Sequence, residues 1–226
     1  MNIVIATVKS WNIRNAEKLI EDCPGWNVSL ITDKYKLAAQ LEASNPDFVF
    51  FPHWSWKIPP SIYENYNCVV FHMTDLPFGR GGSPLQNLIV RGIYETMISA
   101  IQVTSGIDEG PVYFKEPMDI SEGNADEMLS RASDIIFFKM IPRLIGEKFM
   151  PKPQEGNPTI FKRRLADQSE IPGNLSNRQI YDYIRMLDGE GYPKAFSKYG
   201  QRKVCYSNAK YENGRVMAEA EFIGED

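Results

Sequence analysis

The first fifty residues alternate short apolar blocks with stretches of helical spacing. Ile3-Val4-Ile5-Ala6 is an unbroken apolar run of the kind that forms a buried strand. Asn15 to Glu21 predicts a helix that stops near Cys23-Pro24-Gly25. Val28 to Ile31 predicts a second strand. Tyr35 to Ala43 predicts a second helix, with Leu37, Ala38 and Leu41 on one side until Asn45-Pro46-Asp47 breaks it. Phe48-Val49-Phe50-Phe51 is a third strand. Strand, helix, strand, helix, strand in this order is the pattern of a parallel α/β sheet.

The pattern continues with a fourth strand, Val69-Val70-Phe71-His72, and a helix from Pro84 to Arg91 with proline in its first turn. Met97 to Val103 and Pro111 to Phe114 predict further strands joined by Ser105-Gly106-Ile107-Asp108-Glu109-Gly110. Asn124 to about Lys148 predicts a long helix, with Met128, Leu129, Ala132, Ile135 and Ile136 on one face and a kink at Pro142. Pro151, Pro153, Gly156 and Pro158 then crowd together as in a linker. This divides the chain into a larger region, 1–150, and a smaller region, 151–226. The smaller region predicts a helix over Asn177 to Leu187. Short strands follow between Ala195 and Val216, with turns at Tyr199-Gly200 and Asn213-Gly214. The expected fold class is α/β, a mostly parallel sheet followed by a small helix and β-hairpin subdomain.

Charge and composition narrow the function classes. The chain has 226 residues and a formal net charge of −4. That balance offers no general attraction to polyanions, so no nucleic-acid partner is expected. No apolar run approaches the ~18 residues that cross a bilayer, so no membrane association is expected. The N-terminus lacks the pattern of a signal peptide. Three cysteines, odd in number and far apart, fit unpaired thiols in a reducing cytoplasm. Without CxxC or HExxH spacing, no metal site is expected.

The chemistry concentrates after the fourth strand. In an open parallel sheet, ligands sit beyond the carboxyl ends of the strands, and His72, one of two histidines, is such an end. Strand alternation puts Val70 on its face. His72 either caps the strand and satisfies a loop carbonyl or works as a catalytic group. The loop Gly79-Arg80-Gly81-Gly82-Ser83-Pro84 could bring backbone N–H groups close to a ligand, or it could be a turn. No GxGxxG follows the first strand, which excludes the usual dinucleotide site. Asp108 is either a solvated turn former or the partner that sets the charge and tautomer of His72. The aromatic loop Phe51-Pro52-His53-Trp54-Ser55-Trp56 either covers a planar ligand or anchors itself on the core.

Together these residues resemble the folate-dependent N-formyltransferases, whose core has a strand ending Asn-x-His, a Leu-Pro turn, an Arg-Gly loop with proline, and a later Asp-x-Gly. The counterparts here are Val70-Phe71-His72, Leu76-Pro77, Gly79 to Pro84 and Asp108-Glu109-Gly110. Arg163-Arg164, Asp167-Gln168-Ser169, Tyr183-Ile184-Arg185 and Tyr192-Pro193-Lys194-Ala195-Phe196 are similar to the segment that follows the core, so the resemblance covers nearly the whole chain. HMTDLPFGRGGSPLQN is most similar to the sugar branch that works in the pseudaminic-acid pathway. The resemblance implies a Rossmann-like formyltransferase fold and 10-formyltetrahydrofolate as co-substrate. Its implied acceptor is the amine of a nucleotide-linked amino-dideoxy sugar; methionyl-tRNA and a non-catalytic binding role are the alternatives. It further implies His72 and Asp108 as catalytic groups, and a folate site with His53, Trp54, Ser55 and Ile58 on one side and Gln102, Thr104 and Ser105 on the other. Acceptor contacts are implied for Lys9, Arg80, Gly81, Gly82, Ser83, Pro84 and Tyr192, and a homodimer for the region Ala195 to Val216. The one departure is Val70. An amide is usual there, and its loss removes an oxyanion donor; Thr74 and the N–H groups of the 73–76 turn are the expected substitutes.

Overall fold

Four of the apolar blocks become parallel neighbours in one sheet. The computed structural model describes residues 1–224. In chain order it begins with β1 (Asn2–Ala6), α1 (Ser10–Asp22), β2 (Asn27–Ile31), α2 (Leu37–Ser44), β3 (Phe48–Phe51), α3 (Pro60–Tyr63) and β4 (Cys68–His72). Then come β5 (Arg80–Gly81), α4 (Pro84–Ile89), β6 (Glu95–Gln102), β7 (Val112–Asp119), α5 (Ala125–Ile135) and α6 (Ile141–Gly146). The chain continues through β8 (Ile160–Phe161), α7 (Asn177–Arg185), β9 (Phe196–Tyr199), β10 (Arg202–Glu212) and β11 (Arg215–Ile223).

The six-stranded sheet has the order β2-β1-β3-β4-β6-β7. β1 pairs with β2 and β3 in parallel, as β3 does with β4, whereas β6 runs antiparallel to β4 with His72 opposite Ser99. The mostly parallel α/β sheet is therefore as expected. Val4, Ile5, Ala6, Val49 and Phe50 are fully buried, which explains why these strands read as continuous apolar runs rather than alternating ones. Strand order reverses at β1, between β2 and β3. The carboxyl ends of β1 and β3 thus form a switch point, where open α/β sheets leave a crevice.

The described residues fall into two units built from interleaved segments. One comprises Met1–Gly81, Thr96–Met118 and Ser130–Ile160; the other comprises Gly82–Glu95, Asp119–Leu129 and the chain from Phe161 onward. The proline-rich stretch 151–158 lies in the first. It docks there through Lys152, which exchanges two backbone hydrogen bonds with Val112 at 2.8 and 2.9 Å.

Element boundaries differ from the sequence pattern in explicable ways. α1 begins at Ser10, five residues before the predicted start, because Trp11, Ala16 and Leu19 already form its buried side. The predicted long helix is divided by a π-helical turn, Ile136–Met140, immediately before α6. Pro142 supplies no N–H to the preceding turn, and a π-turn absorbs such a gap. In the second unit, Ser176 and Gln179 form a capping box at the start of α7. Asn213 and Gly214, with φ of 51° and 74°, make the hairpin turn from β10 to β11. No helix among the described residues is long and apolar enough to cross a membrane.

Candidate active site

His72 ends β4 with 8% of its side chain exposed, and both ring nitrogens face oxygen atoms. Nε2 lies 2.7 Å from the Gly79 carbonyl. A carbonyl only accepts, so Nε2 carries the hydrogen. Nδ1 lies 3.4 Å from Oδ2 of Asp108, whose side chain is 17% exposed. The same Oδ2 accepts the Gly81 N–H at 2.9 Å. The short bond to Gly79 anchors the ring; the longer separation leaves the Nδ1 edge as the one where a reacting group can engage. His72 is thus both a strand cap and the partner of Asp108.

Asp108 adopts a left-handed φ of 55°, unusual for a residue other than glycine. Two features hold it. A side chain at position 110 would place Cβ 1.7 Å from the Gln102 carbonyl oxygen, so only glycine lets the loop close there. Gln154 then donates from Nε2 to the carbonyls of Asp108 and Gly110 at 2.8 and 2.9 Å. Its Oε1 accepts from Nε and Nη2 of Arg80 at 3.0 and 2.9 Å. Sequence reasoning missed Gln154, which stands among prolines forty-six positions from Asp108 and belongs to no recognisable motif.

The glycine loop does not work as a cradle of free amides. The N–H groups of Gly79 and Arg80 both donate to the Thr159 carbonyl, that of Gly81 to Asp108, and that of Gly82 to the Phe161 carbonyl. The glycines are needed for positive φ at Gly79 and Gly81. At Gly82, a Cβ would sit 2.7 Å from Cα of Arg163. Arg80, expected to meet the acceptor, instead directs its guanidinium to Gln154 and, at 3.6 Å, to Glu109. Gly82, Ser83, Pro84 and Tyr192 lie in the second unit. There Ser83 Oγ accepts the Arg164 N–H at 3.1 Å, Pro84 opens α4, and burial raises the pKa of the Tyr192 hydroxyl, which bonds Gln86.

Thr74 requires a correction. It is fully buried, and its hydroxyl points to the Gly79 carbonyl at 3.4 Å. A side chain enclosed on all sides cannot offer its proton to a developing oxyanion. Leu76 of the same turn donates its N–H to the Thr74 carbonyl. Val70, the departure from the family pattern, packs with Trp54 and Val103 on a cluster that includes Ala6, Val49, Phe51 and Cys68. The apolar wall under the site therefore occupies the position where an amide would stand.

The loop after β3 divides between anchoring and site. Ile58 is buried in that same cluster, so its side chain belongs to the core. Trp54 packs edge-on against Phe51 and Trp56, while Ser55 is exposed. His53 has a left-handed φ of 51°. Its Nδ1 lies 3.0 Å from Nδ2 of the fully buried Asn12, and its buried Nε2 has no hydrogen-bond partner among the described residues. Burial, reinforced by the Lys9 ammonium, pushes the His53 ring down to about 4. Lys9 precedes α1 and lies 5.3 Å over the Trp11 ring. On the other loop, Gln102 takes part through its backbone, donating to the Pro111 carbonyl; Thr104 lies close to Gly110, and Ser105 is exposed. The partly buried Trp54, Val70 and Val103 form an apolar wall that suits a flat ring.

Comparison with known proteins places this arrangement. Over the whole of both chains, the protein is 53% identical to a solved structure described as methionyl-tRNA formyltransferase from Clostridium thermocellum, with a TM-score of 0.96. The chain belongs to the folate-dependent formyltransferases. It is an enzyme of that family and moves a one-carbon formyl group. Residues 166–223 of this formyltransferase match the family model "Methionyl-tRNA formyltransferase, C-terminal domain". The methionyl-tRNA formyltransferase of Thermodesulfovibrio yellowstonii is 26% identical over 65% of this chain. The match spans about half of that relative, 49% of its length. A sugar N-formyltransferase from Shewanella shares the fold, with a TM-score of 0.67 at 14% identity over 92% of this chain and 96% of that one. These matches overturn the expectation that no nucleic acid is involved, because the 53% identical relative is named for a tRNA substrate. Net charge is a sum over the whole chain, and a sum does not describe any one surface. Lys162-Arg163-Arg164 is a local basic run within an acidic total.

Proposed function

We propose that this formyltransferase uses 10-formyltetrahydrofolate as donor and transfers the formyl group to a primary amine at the Nδ1 edge of His72. The observation that carries the reading is the His72–Asp108 pair at 3.4 Å, anchored on one side by Gly79 and on the other by Gly81. The donor supplies a formyl carbon at the acyl level of activation. The wall of Trp54, Val70 and Val103 would hold the donor's ring, with His53 and the 102–108 loop alongside. His72 provides positive charge beside the carbonyl oxygen as it gains electrons. Asp108 Oδ2 takes the proton that the amine loses on becoming an amide and returns it to the folate nitrogen as the formyl C–N bond breaks, so that tetrahydrofolate leaves neutral at that nitrogen.

The acceptor that the comparisons favour is the amine of methionyl-tRNA, on the strength of the 53% identity over the whole chain. A nucleotide-linked amino sugar is the second reading. It is favoured by the −4 net charge and by the resemblance of HMTDLPFGRGGSPLQN to the sugar branch. Three free cysteines suit either reaction in the cytoplasm. The two acceptors are separated by supplying radiolabelled formyl donor with methionyl-tRNA or with a panel of amino-sugar nucleotides. The first reading expects label on tRNA and tRNA binding that weakens steeply with salt. Label on the sugar nucleotide alone would replace it with the second.

A further inference from the structure

The stretch 151–158 has the composition of a linker but behaves as a brace. Lys152 grips Val112 on β7 through two backbone bonds. Thr159 gives its carbonyl to the N–H groups of Gly79 and Arg80 and donates its own N–H to the Pro77 carbonyl at 3.2 Å. Between these grips stands Gln154. Both amide hydrogens go to the 108 and 110 carbonyls, and its oxygen takes two hydrogens from Arg80. All of its strong hydrogen-bonding positions are used.

We infer that Gln154 is the positioning residue of the active site: it clips the Asp108 turn into its left-handed conformation and so aims Oδ2 at His72, with Arg80 holding the clip from behind. This rests on the formyl-transfer reading of His72 and Asp108. Three observations carry it. Asp108 sits in a backbone conformation that needs support from outside the turn. The only side-chain donor to its carbonyl among the described hydrogen bonds is Gln154. The brace also ties down the 77–80 segment, which supplies Gly79 to the other nitrogen of His72. One segment thus fixes the partners on both edges of the ring. Only an amide suits this place, because the residue must accept from a guanidinium at one atom and donate to two carbonyls at the other. A carboxylate would keep Arg80 and lose the turn.

The test compares wild type with Gln154→Ala, Gln154→Glu, Asp108→Asn and the double variant Gln154→Ala/Asp108→Asn. Misaim of a reacting group by a fraction of an ångström costs on the order of 10- to 100-fold in rate. We expect kcat to fall by that factor in Gln154→Ala, with both KM values within about threefold. Gln154→Glu should be equally slow despite its matching shape. In the Asp108→Asn background, Gln154→Ala should change kcat less than about twofold, since the group it aims is already gone. A second readout needs no substrate. With two histidines in the chain, imidazole NMR of the unliganded protein resolves both rings; His72 resonances should move in both Gln154 variants and those of His53 should not. Wild-type kcat in Gln154→Glu, or unmoved His72 resonances in both variants, would overturn the clip. A wild type with no formyl transfer to any amine would instead overturn the formyl-transfer reading, while the NMR comparison would still decide the clip.

Discussion

At the scale of single residues, two histidines in one unit have opposite situations. His72 faces acceptors on both edges; His53 is held neutral, pushed down to about 4, chiefly by burial. Between about pH 6.5, its ordinary value, and about 4, the unfolded chain binds a proton at His53 that the folded chain refuses. The linkage is therefore such that stability is complete above that window and declines as pH falls through it. Replacing His53 with Asn, which tolerates the left-handed backbone, should flatten the decline, as read by denaturant unfolding at pH 7, 5.5 and 4.5; an unchanged slope would count against it. Burial also pushes the Cys68 thiol up to about 12, so almost no thiolate exists at pH 8. Iodoacetamide at pH 8 should leave Cys68 unlabelled in the folded protein, and rapid labelling of it would contradict the packing. Val70 invites the reverse experiment. If the missing amide limits the rate, Val70→Asn raises kcat by about tenfold or more, since one oxyanion donor is worth roughly 100- to 1,000-fold where the geometry is optimal. A kcat that stays level or drops would show that the apolar wall is the more important use of this position.

Elements show why some of this was legible in the sequence and some was not. β1, β3 and β4 were read within a residue or so, because strands buried on both faces leave unbroken apolar runs. His72 and Asp108 could be paired because each belongs to a short motif with its own turn chemistry. The roles of Arg80 and the glycines could not, since their partners, Thr159, Phe161 and Gln154, are far along the chain and carry no local signature. Thr74 looked available because it adjoins His72, but adjacency in sequence does not reveal enclosure. The same limit applies to α7. Tyr183-Ile184-Arg185 resembled a family segment, yet what Arg185 does is visible only in three dimensions. It is fully buried, pairing with Asp182 at 2.7 Å and bonding the Gly123 carbonyl, while Asp182 also accepts from Tyr94 and Arg178. Arg185→Ala takes from the buried Asp182 carboxylate its shorter ion pair and should destabilise the fold by ~3–5 kcal/mol. Chemical denaturation measures this directly, and a loss below about 1 kcal/mol would mean that Arg178 and Tyr94 suffice for Asp182.

For the whole molecule, the chemistry suggested by the sequence falls mainly in the first unit, which holds His72, Asp108, Arg80, Gln154 and the loop after β3. The second unit contains the stretch matched by the family's C-terminal domain model. Whether a formyl group is transferred and which amine receives it are separate questions, and the first is the central one. The most direct measurement is single-turnover transfer from labelled 10-formyltetrahydrofolate, with wild type and His72→Ala assayed on methionyl-tRNA and on amino-sugar nucleotides. The account predicts formylation of an amine by wild type and a loss of at least about 100-fold in His72→Ala. Equal rates in the two proteins would contradict it.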